Sequence, residues 1–93
     1  MLRTYTVRIG DLEFTIDDQR PMIVCWECKI NYVVAWWDTC EEDGHVYDYQ
    51  LQFVHDNPLK VDYADFWNLV KIGYQYLNLE LTRERIERSG KKR

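Results

Sequence analysis

The cysteine and histidine residues of this chain have a spacing that zinc sites use. Cys25 and Cys28 form a Cys-x-x-Cys motif, and Cys40 and His45 follow, which gives the pattern C-x2-C-x11-C-x4-H. Tetrahedral zinc takes four sulfur or nitrogen ligands, and a tight Cys-x-x-Cys turn supplies two of them. A zinc ion is therefore the first chemical hypothesis for this sequence.

The secondary structure predicted for this region argues against that set of four ligands. Residues 22–38 are rich in β-branched and aromatic side chains, which favours one long strand. In a regular strand, Cys28 and Cys40 would lie roughly 40 Å apart. One ion cannot bridge that distance.

Pairing with the next segment predicts a different set of ligands. Residues 45–54 alternate between apolar and polar side chains, as a half-buried strand does. If Asp38 lies opposite His45, apolar residues meet on one face along the whole hairpin, and Cys28 faces His55. The predicted register therefore brings Cys28 and His55 together at the open end of the hairpin.

The zinc site that follows from this register is structural. Its predicted ligands are Cys25, Cys28 and His55, with Asp56 or Cys40 as the fourth. Nothing nearby looks like a general base with a substrate pocket, so we expect no catalytic residues and no enzymatic activity. The alternative is that Cys25 and Cys28 are inert thiols on opposite faces of an unbroken strand.

The other segments complete an α+β fold in a single domain over residues 1–93. Gly10-Asp11 predicts a type II′ hairpin turn, and Asp62 predicts the N-cap of an amphipathic helix. The predicted architecture is a four-stranded antiparallel sheet, made of two hairpins and packed by one long C-terminal helix. The strands cover about 2–9, 12–17, 22–38 and 45–54, and the helix covers about 62–78, with a helical or extended continuation to 89 that stops at Gly90.

Composition indicates where the protein works. The chain is 46% hydrophobic, yet no apolar run approaches the roughly 18 residues that a membrane span needs. The N-terminus, MLRTYTVRIG, has no apolar signal core. We therefore expect a protein of the cytoplasm of the cell that makes it, one that does not bind membranes and whose three cysteines are reduced.

Charge is unevenly distributed along the chain, whose net charge is −4. Residues 38–65, the acidic belt, contain eight acidic residues and one lysine, whereas residues 83–93 are mainly basic. Such a belt attracts a basic partner, or it only keeps the protein soluble. Trp37 lies on the more polar face of the predicted strand, so either the C-terminal segment covers it or it anchors a partner. The predicted partner-binding residues are Asp38, Glu41, Glu42, Asp43, Asp48 and Trp37.

A small, acidic chain without a catalytic motif resembles the small phage-encoded anti-CRISPR proteins. The acidic belt carries the resemblance, in the stretches DTCEEDGHVYD and VHDNPLKVDYAD. The resemblance implies an inhibitor that occupies a basic channel of a CRISPR effector nuclease and obstructs nucleic-acid loading. The basic C-terminal segment departs from simple phosphate mimicry.

Two other functions stay open at this point. One is a small zinc-stabilised adaptor domain, and the other is a nucleic-acid-binding domain that acts through residues 83–93. The acidic belt would repel phosphate, so we expect no direct binding of nucleic acid.

The predicted ligands can be tested by elemental analysis of the purified protein. We expect about one zinc per chain, lost in Cys28→Ser and in His55→Ala and retained in His45→Ala. Wild-type protein without zinc contradicts the site. Loss in His45→Ala but not in His55→Ala indicates the C-x2-C-x11-C-x4-H set instead.

Overall fold

A computed structural model describes residues 4–16, 20–27, 30–54 and 61–91. The described elements form one antiparallel sheet in chain order and one helix that packs on one face of it, which confirms the α+β class. No helix in these ranges is apolar enough over a sufficient length to cross a membrane. The elements are β1 (Tyr5–Ile9), β2 (Leu12–Ile16), β3 (Met22–Glu27), β4 (Ile30–Glu42), β5 (His45–Phe53) and α1 (Tyr63–Lys91).

The first hairpin has the predicted turn. Ile9 pairs with Leu12, so Gly10 and Asp11 are its two turn residues, and Gly10 has the positive φ of 60° that a type II′ turn requires at its first position. A Cβ at Gly10 would lie 2.8 Å from Oδ2 of Asp65. The turn therefore lies directly against the start of α1.

The predicted strand over residues 22–38 is wrong. The chain reverses between Glu27 and Ile30, which pair with each other, so this region forms β3 and β4 and the sheet has five strands rather than four. A single strand of this length would span roughly 56 Å, more than the roughly 43 Å of a 29-residue helix. Folding the segment back on itself brings its apolar residues within reach of one helix.

The predicted register of the second hairpin is also wrong. His45 lies opposite Glu42, not Asp38, because β4 continues through its charged residues up to the turn. Asp43 and Gly44 form that turn with φ values of 53° and 77°, and two positive φ angles are the requirement of a type I′ turn. A bulge between Cys40 and Glu41 then shifts the pairing by one residue, because Glu41 lies opposite Val46 and Cys40 lies opposite Asp48.

The observed register places Trp37 on the face of the sheet that α1 covers. Trp37 lies opposite Leu51 and is 1% exposed. Its ring makes edge contacts with Phe14, at 5.4 Å between centroids, and with Tyr74 of α1, at 5.6 Å. Of the two alternatives for Trp37, the structure shows burial by the C-terminal segment, so this side chain is not displayed on the surface as an anchor would be.

The helix begins as predicted and runs further than predicted. The backbone N–H of Asp65 donates to Oδ1 of Asp62 at 3.1 Å, which confirms Asp62 as the N-cap. The alternative of an extended continuation is not adopted, because α1 is one helix from Tyr63 to Lys91. Gly90 therefore lies inside the helix and does not end it.

Gly73 is the position where α1 lies closest to the sheet. A Cβ at this position would lie 2.8 Å from Cη2 of Trp37 and 3.0 Å from Cε1 of Phe14. Alanine in place of glycine normally stabilises an exposed helix by about 1 kcal/mol. Here the added methyl group would push against two buried rings, so we expect Gly73→Ala to lower the free energy of unfolding by about 1–3 kcal/mol in urea denaturation.

An exposed position of the same helix provides the control. Asn78→Ala also improves helix propensity but meets no buried ring, so we expect the free energy of unfolding to rise by a few tenths of a kcal/mol. If Gly73→Ala stabilises the protein as much as Asn78→Ala does, the close approach of α1 to the sheet is contradicted.

Candidate functional site

The face of the sheet opposite α1, here called the open face, has an apolar centre. Met22 pairs with Trp36 and Val24 pairs with Val33, which places these four side chains on the same face. They belong to the strand positions that alternate with the core residues under the helix. A shallow hollow of about 360 Å³ on this face is lined by Arg20, Met22, Val33, Trp36 and Val54.

Trp36 and Asp38 form a hydrogen-bonded pair beside this hollow. The indole Nε1–H of Trp36 donates to Oδ1 of Asp38 at 2.8 Å. Arg20 completes the group, because its Cζ lies 5.4 Å from the centroid of the Trp36 ring and its Nη1 lies 3.9 Å from Oδ1 of Asp38. An aromatic face next to a carboxylate is a setting that attracts cations.

The second hairpin displays negative charge beyond this pair. Residues 38–50 contain five acidic residues and no lysine or arginine. The register places Asp38 and Asp48 on the open face, while Glu41, Glu42 and Asp43 are exposed around the turn. We call these five residues, Asp38, Glu41, Glu42, Asp43 and Asp48, the acidic ribbon.

The acidic ribbon lies on a part of the hairpin that extends beyond the other strands. Met22 pairs with Trp36, and the last described hydrogen bond between the two segments joins the Trp37 N–H to the Pro21 carbonyl at 2.9 Å. After that point, β5 is the only strand among the described residues that pairs with β4. Within the described part of the sheet, the ribbon therefore lies on β4 and β5, and α1 covers the other face of β5 at Tyr49.

The acidic belt of the sequence is not one surface. The Phe53 end of β5 lies next to the start of α1, since the rings of Phe53 and Phe66 are 5.8 Å apart. From His45 to Phe53 the strand spans roughly 26 Å. Asp62 and Asp65, at the start of the helix, are therefore separated by about that distance from the acidic residues of the turn.

The predicted zinc ligands are only partly within the described residues. Cys28, His55 and Asp56 lie outside them. Cys25 is 4% exposed and pairs with Tyr32, whereas Cys40 lies eight residues further along β4, roughly 26 Å away. One zinc ion cannot bind both Cys25 and Cys40. Within the described ranges, no three His, Cys, Asp or Glu side chains form a group that could hold a metal.

Several large aromatic residues lie at the surface of the structure. Tyr47 is 56% exposed and Trp67 is 49% exposed. Neither Trp36 nor Arg20 was predicted as a site residue, and the pairing of Trp36 with Asp38 was missed. The available signal was the Trp-x-Asp spacing, because residues two apart in a strand share a face.

Known proteins give no guide to this surface. The chain has no match among protein-family models, curated proteins or solved structures. Any function of the open face must therefore be argued from the residues and contacts of this chain.

Tyr49 joins the hairpin that carries the acidic ribbon to the helix. Burial raises the pKa of Tyr49 above its usual value of 10.0, and the carboxylates of Glu84 and Glu80 raise it further. The unfolded chain loses this proton near pH 10, whereas the folded chain retains it to higher pH. The contribution of Tyr49 to stability is therefore complete below pH 10 and is lost as pH rises above that value.

This dependence can be measured by urea denaturation between about pH 8 and pH 11. We expect the free energy of unfolding to fall less steeply with pH in Tyr49→Phe than in the wild type. Tyr47→Phe, at an exposed position of the same strand, should retain the wild-type slope. Equal slopes in all three proteins would contradict the buried position of the Tyr49 hydroxyl.

Proposed function

We propose that this chain is a protein-binding inhibitor that uses its acidic ribbon against a basic surface of a nucleic-acid-handling protein. The observation that carries the proposal is the ribbon itself, in which five carboxylates and no lysine or arginine occupy residues 38–50 of one hairpin. The five carboxylates are all negatively charged and repel one another, and a basic partner relieves that repulsion.

The shape of the hairpin supports this function. Strands β4 and β5 extend beyond the other described strands while α1 covers one face of β5 at Tyr49, and the molecule measures 52 × 21 × 21 Å along its principal axes. Charge concentrated at the end of a narrow element steers association and raises the on-rate more than it raises the lifetime of the complex. The acidic ribbon is suited to rapid capture of a positively charged channel.

The resemblance to anti-CRISPR proteins makes the proposed partner more specific. A CRISPR effector nuclease holds its guide and target strands in a positively charged channel. An acidic ribbon bound in that channel would obstruct nucleic-acid loading by occupying the space and neutralising the charge. This mode of inhibition requires neither catalysis nor a metal ion.

Binding of nucleic acid by the basic end of the helix is the less favoured function. Nη2 of Arg83 lies 2.9 Å from Oε1 of Glu80, and Nε of Arg88 lies 3.8 Å from Oε1 of Glu84. Two of the basic residues are thus already paired with carboxylates of the same helix. The acidic ribbon would also repel a phosphate backbone. The zinc-stabilised adaptor depends on Cys28 and His55 and is decided by the elemental analysis.

Association kinetics with a CRISPR effector nuclease test the proposal. We expect Glu41→Lys/Glu42→Lys to lower the on-rate about tenfold at low salt, and the difference to shrink at high salt. Stability should change by no more than about 0.5 kcal/mol, because both positions are exposed.

A matched control separates the ribbon from net charge. Asp11→Lys/Glu87→Lys changes the charge by the same amount at exposed positions outside the ribbon, and it should leave the on-rate within about twofold of the wild type. Equal loss in both double variants contradicts a role of the ribbon. If the wild type does not bind the nuclease, with or without guide RNA, the proposed partner is wrong.

A further inference from the structure

We infer that Trp36 and Asp38 form a binding site for the guanidinium group of a partner's arginine, and that Arg20 of this chain occupies the site in the free protein. The inference rests on the proposed function, because it identifies the side chain by which a basic partner is held. Arg20 therefore competes with the partner's arginine for Trp36 and Asp38.

The geometry of the pair fits a guanidinium group. The hydrogen bond from the Trp36 indole to Asp38 fixes the carboxylate at the edge of the ring, with both groups on the open face. The Arg20 guanidinium lies within cation–π distance of that ring and close to the carboxylate. Arginine, rather than lysine, suits the site because its planar group can stack on an aromatic ring while its N–H groups point at a carboxylate.

Arg20 is held only weakly in this position. Its Nη1 is 3.9 Å from Oδ1 of Asp38, which is longer than a hydrogen bond, and the two side chains are 55% and 47% exposed. Exposed ion pairs and exposed cation–π contacts each contribute little. The adjacent Pro21 carbonyl accepts the Trp37 N–H at 2.9 Å, so the backbone is fixed there. Displacement of Arg20 therefore needs only rotation of its own side chain.

The surroundings provide room and charge for the rest of a basic segment. The hollow of about 360 Å³ next to Trp36 is large enough for the aliphatic part of an arginine or for a neighbouring apolar side chain. From Asp38, the acidic ribbon continues along the same face to Asp48. A partner with an arginine anchor followed by further basic residues would thus find complementary groups along the hairpin.

Competition by Arg20 has a measurable consequence. When a site is open in only a fraction of the molecules, the apparent affinity falls by that fraction. One exposed ion pair and one exposed cation–π contact would close the site in most molecules, so removing Arg20 should raise the affinity for an arginine ligand about fivefold.

The test uses the capped tripeptide Gly-Arg-Gly and the full chain labelled with ¹⁵N. Binding is followed through the Trp36 indole N–H resonance, which is assigned by its loss in Trp36→Phe. We expect Arg20→Ala and Arg20→Gln each to bind the tripeptide about fivefold more tightly than the wild type. Asp38→Asn in the Arg20→Ala background should remove that gain, and the same tripeptide with citrulline, which is neutral and of similar shape, should not bind.

A matched control and two outcomes decide the inference. Arg85→Ala removes the same charge from an exposed position of the helix and should leave the affinity unchanged. The inference is overturned if Arg85→Ala raises the affinity as much as Arg20→Ala does. It is also overturned if neither Arg20 variant binds more tightly. Because no nuclease is present, failure here is separate from failure of the proposed function, which the on-rate of the ribbon variants decides.

Discussion

The close packing of α1 against the sheet at Gly73 is the constraint on which the rest of the structure depends. The space of a Cβ at this position is occupied by the rings of Trp37 and Phe14. Trp36 and Trp37 are adjacent in one strand, so their side chains point to opposite faces. Burying Trp37 beneath the helix therefore places Trp36 on the open face. The arginine site proposed there exists because the helix has no side chain at position 73.

The length of α1 extends this constraint to the second hairpin. The Leu51 N–H donates to the Tyr74 hydroxyl at 3.3 Å, and Tyr49 is buried near Glu80 and Glu84, further along the helix. One face of β5 is thereby attached to the helix, and the opposite face is left for Asp48 and Gln50. The hairpin carries charge on its open face because its other face has an apolar and aromatic partner.

Local signals predicted the parts of the fold that local chemistry determines. Gly10-Asp11 forms the expected turn, and Asp62 caps the helix, because a positive φ and a side-chain cap each require particular residues. The pairing of Glu27 with Ile30 has no such signal, since the sequence ECKI contains no Gly, Pro, Asn, Asp or Ser.

The face of β4 that packs on the helix could not be predicted either. Residues 32–37 are apolar or aromatic on both sides of the strand, so the pattern alone does not say which side is buried; in the structure the side with Trp37 packs against Gly73. The observed register places Trp36 on the open face, away from the core. The acidic residues of the turn lie far from those at the start of the helix, because β5 runs along the sheet between the two groups.

Protection of the exposed strand edges explains why the extended hairpin is charged but not why its charge has one sign. Beyond Trp37, the described part of β4 has β5 alone as a neighbour, and charged side chains keep such strands from pairing with other chains. Lysine serves this purpose well, and mixed charges would serve it without self-repulsion. The ribbon instead contains five carboxylates and no lysine or arginine between residues 38 and 50. Arg20 lies over Trp36 at the base of the hairpin, where its Nη1 is 3.9 Å from Oδ1 of Asp38. Uniform negative charge along the remainder favours association with a basic surface over protection of the edges alone.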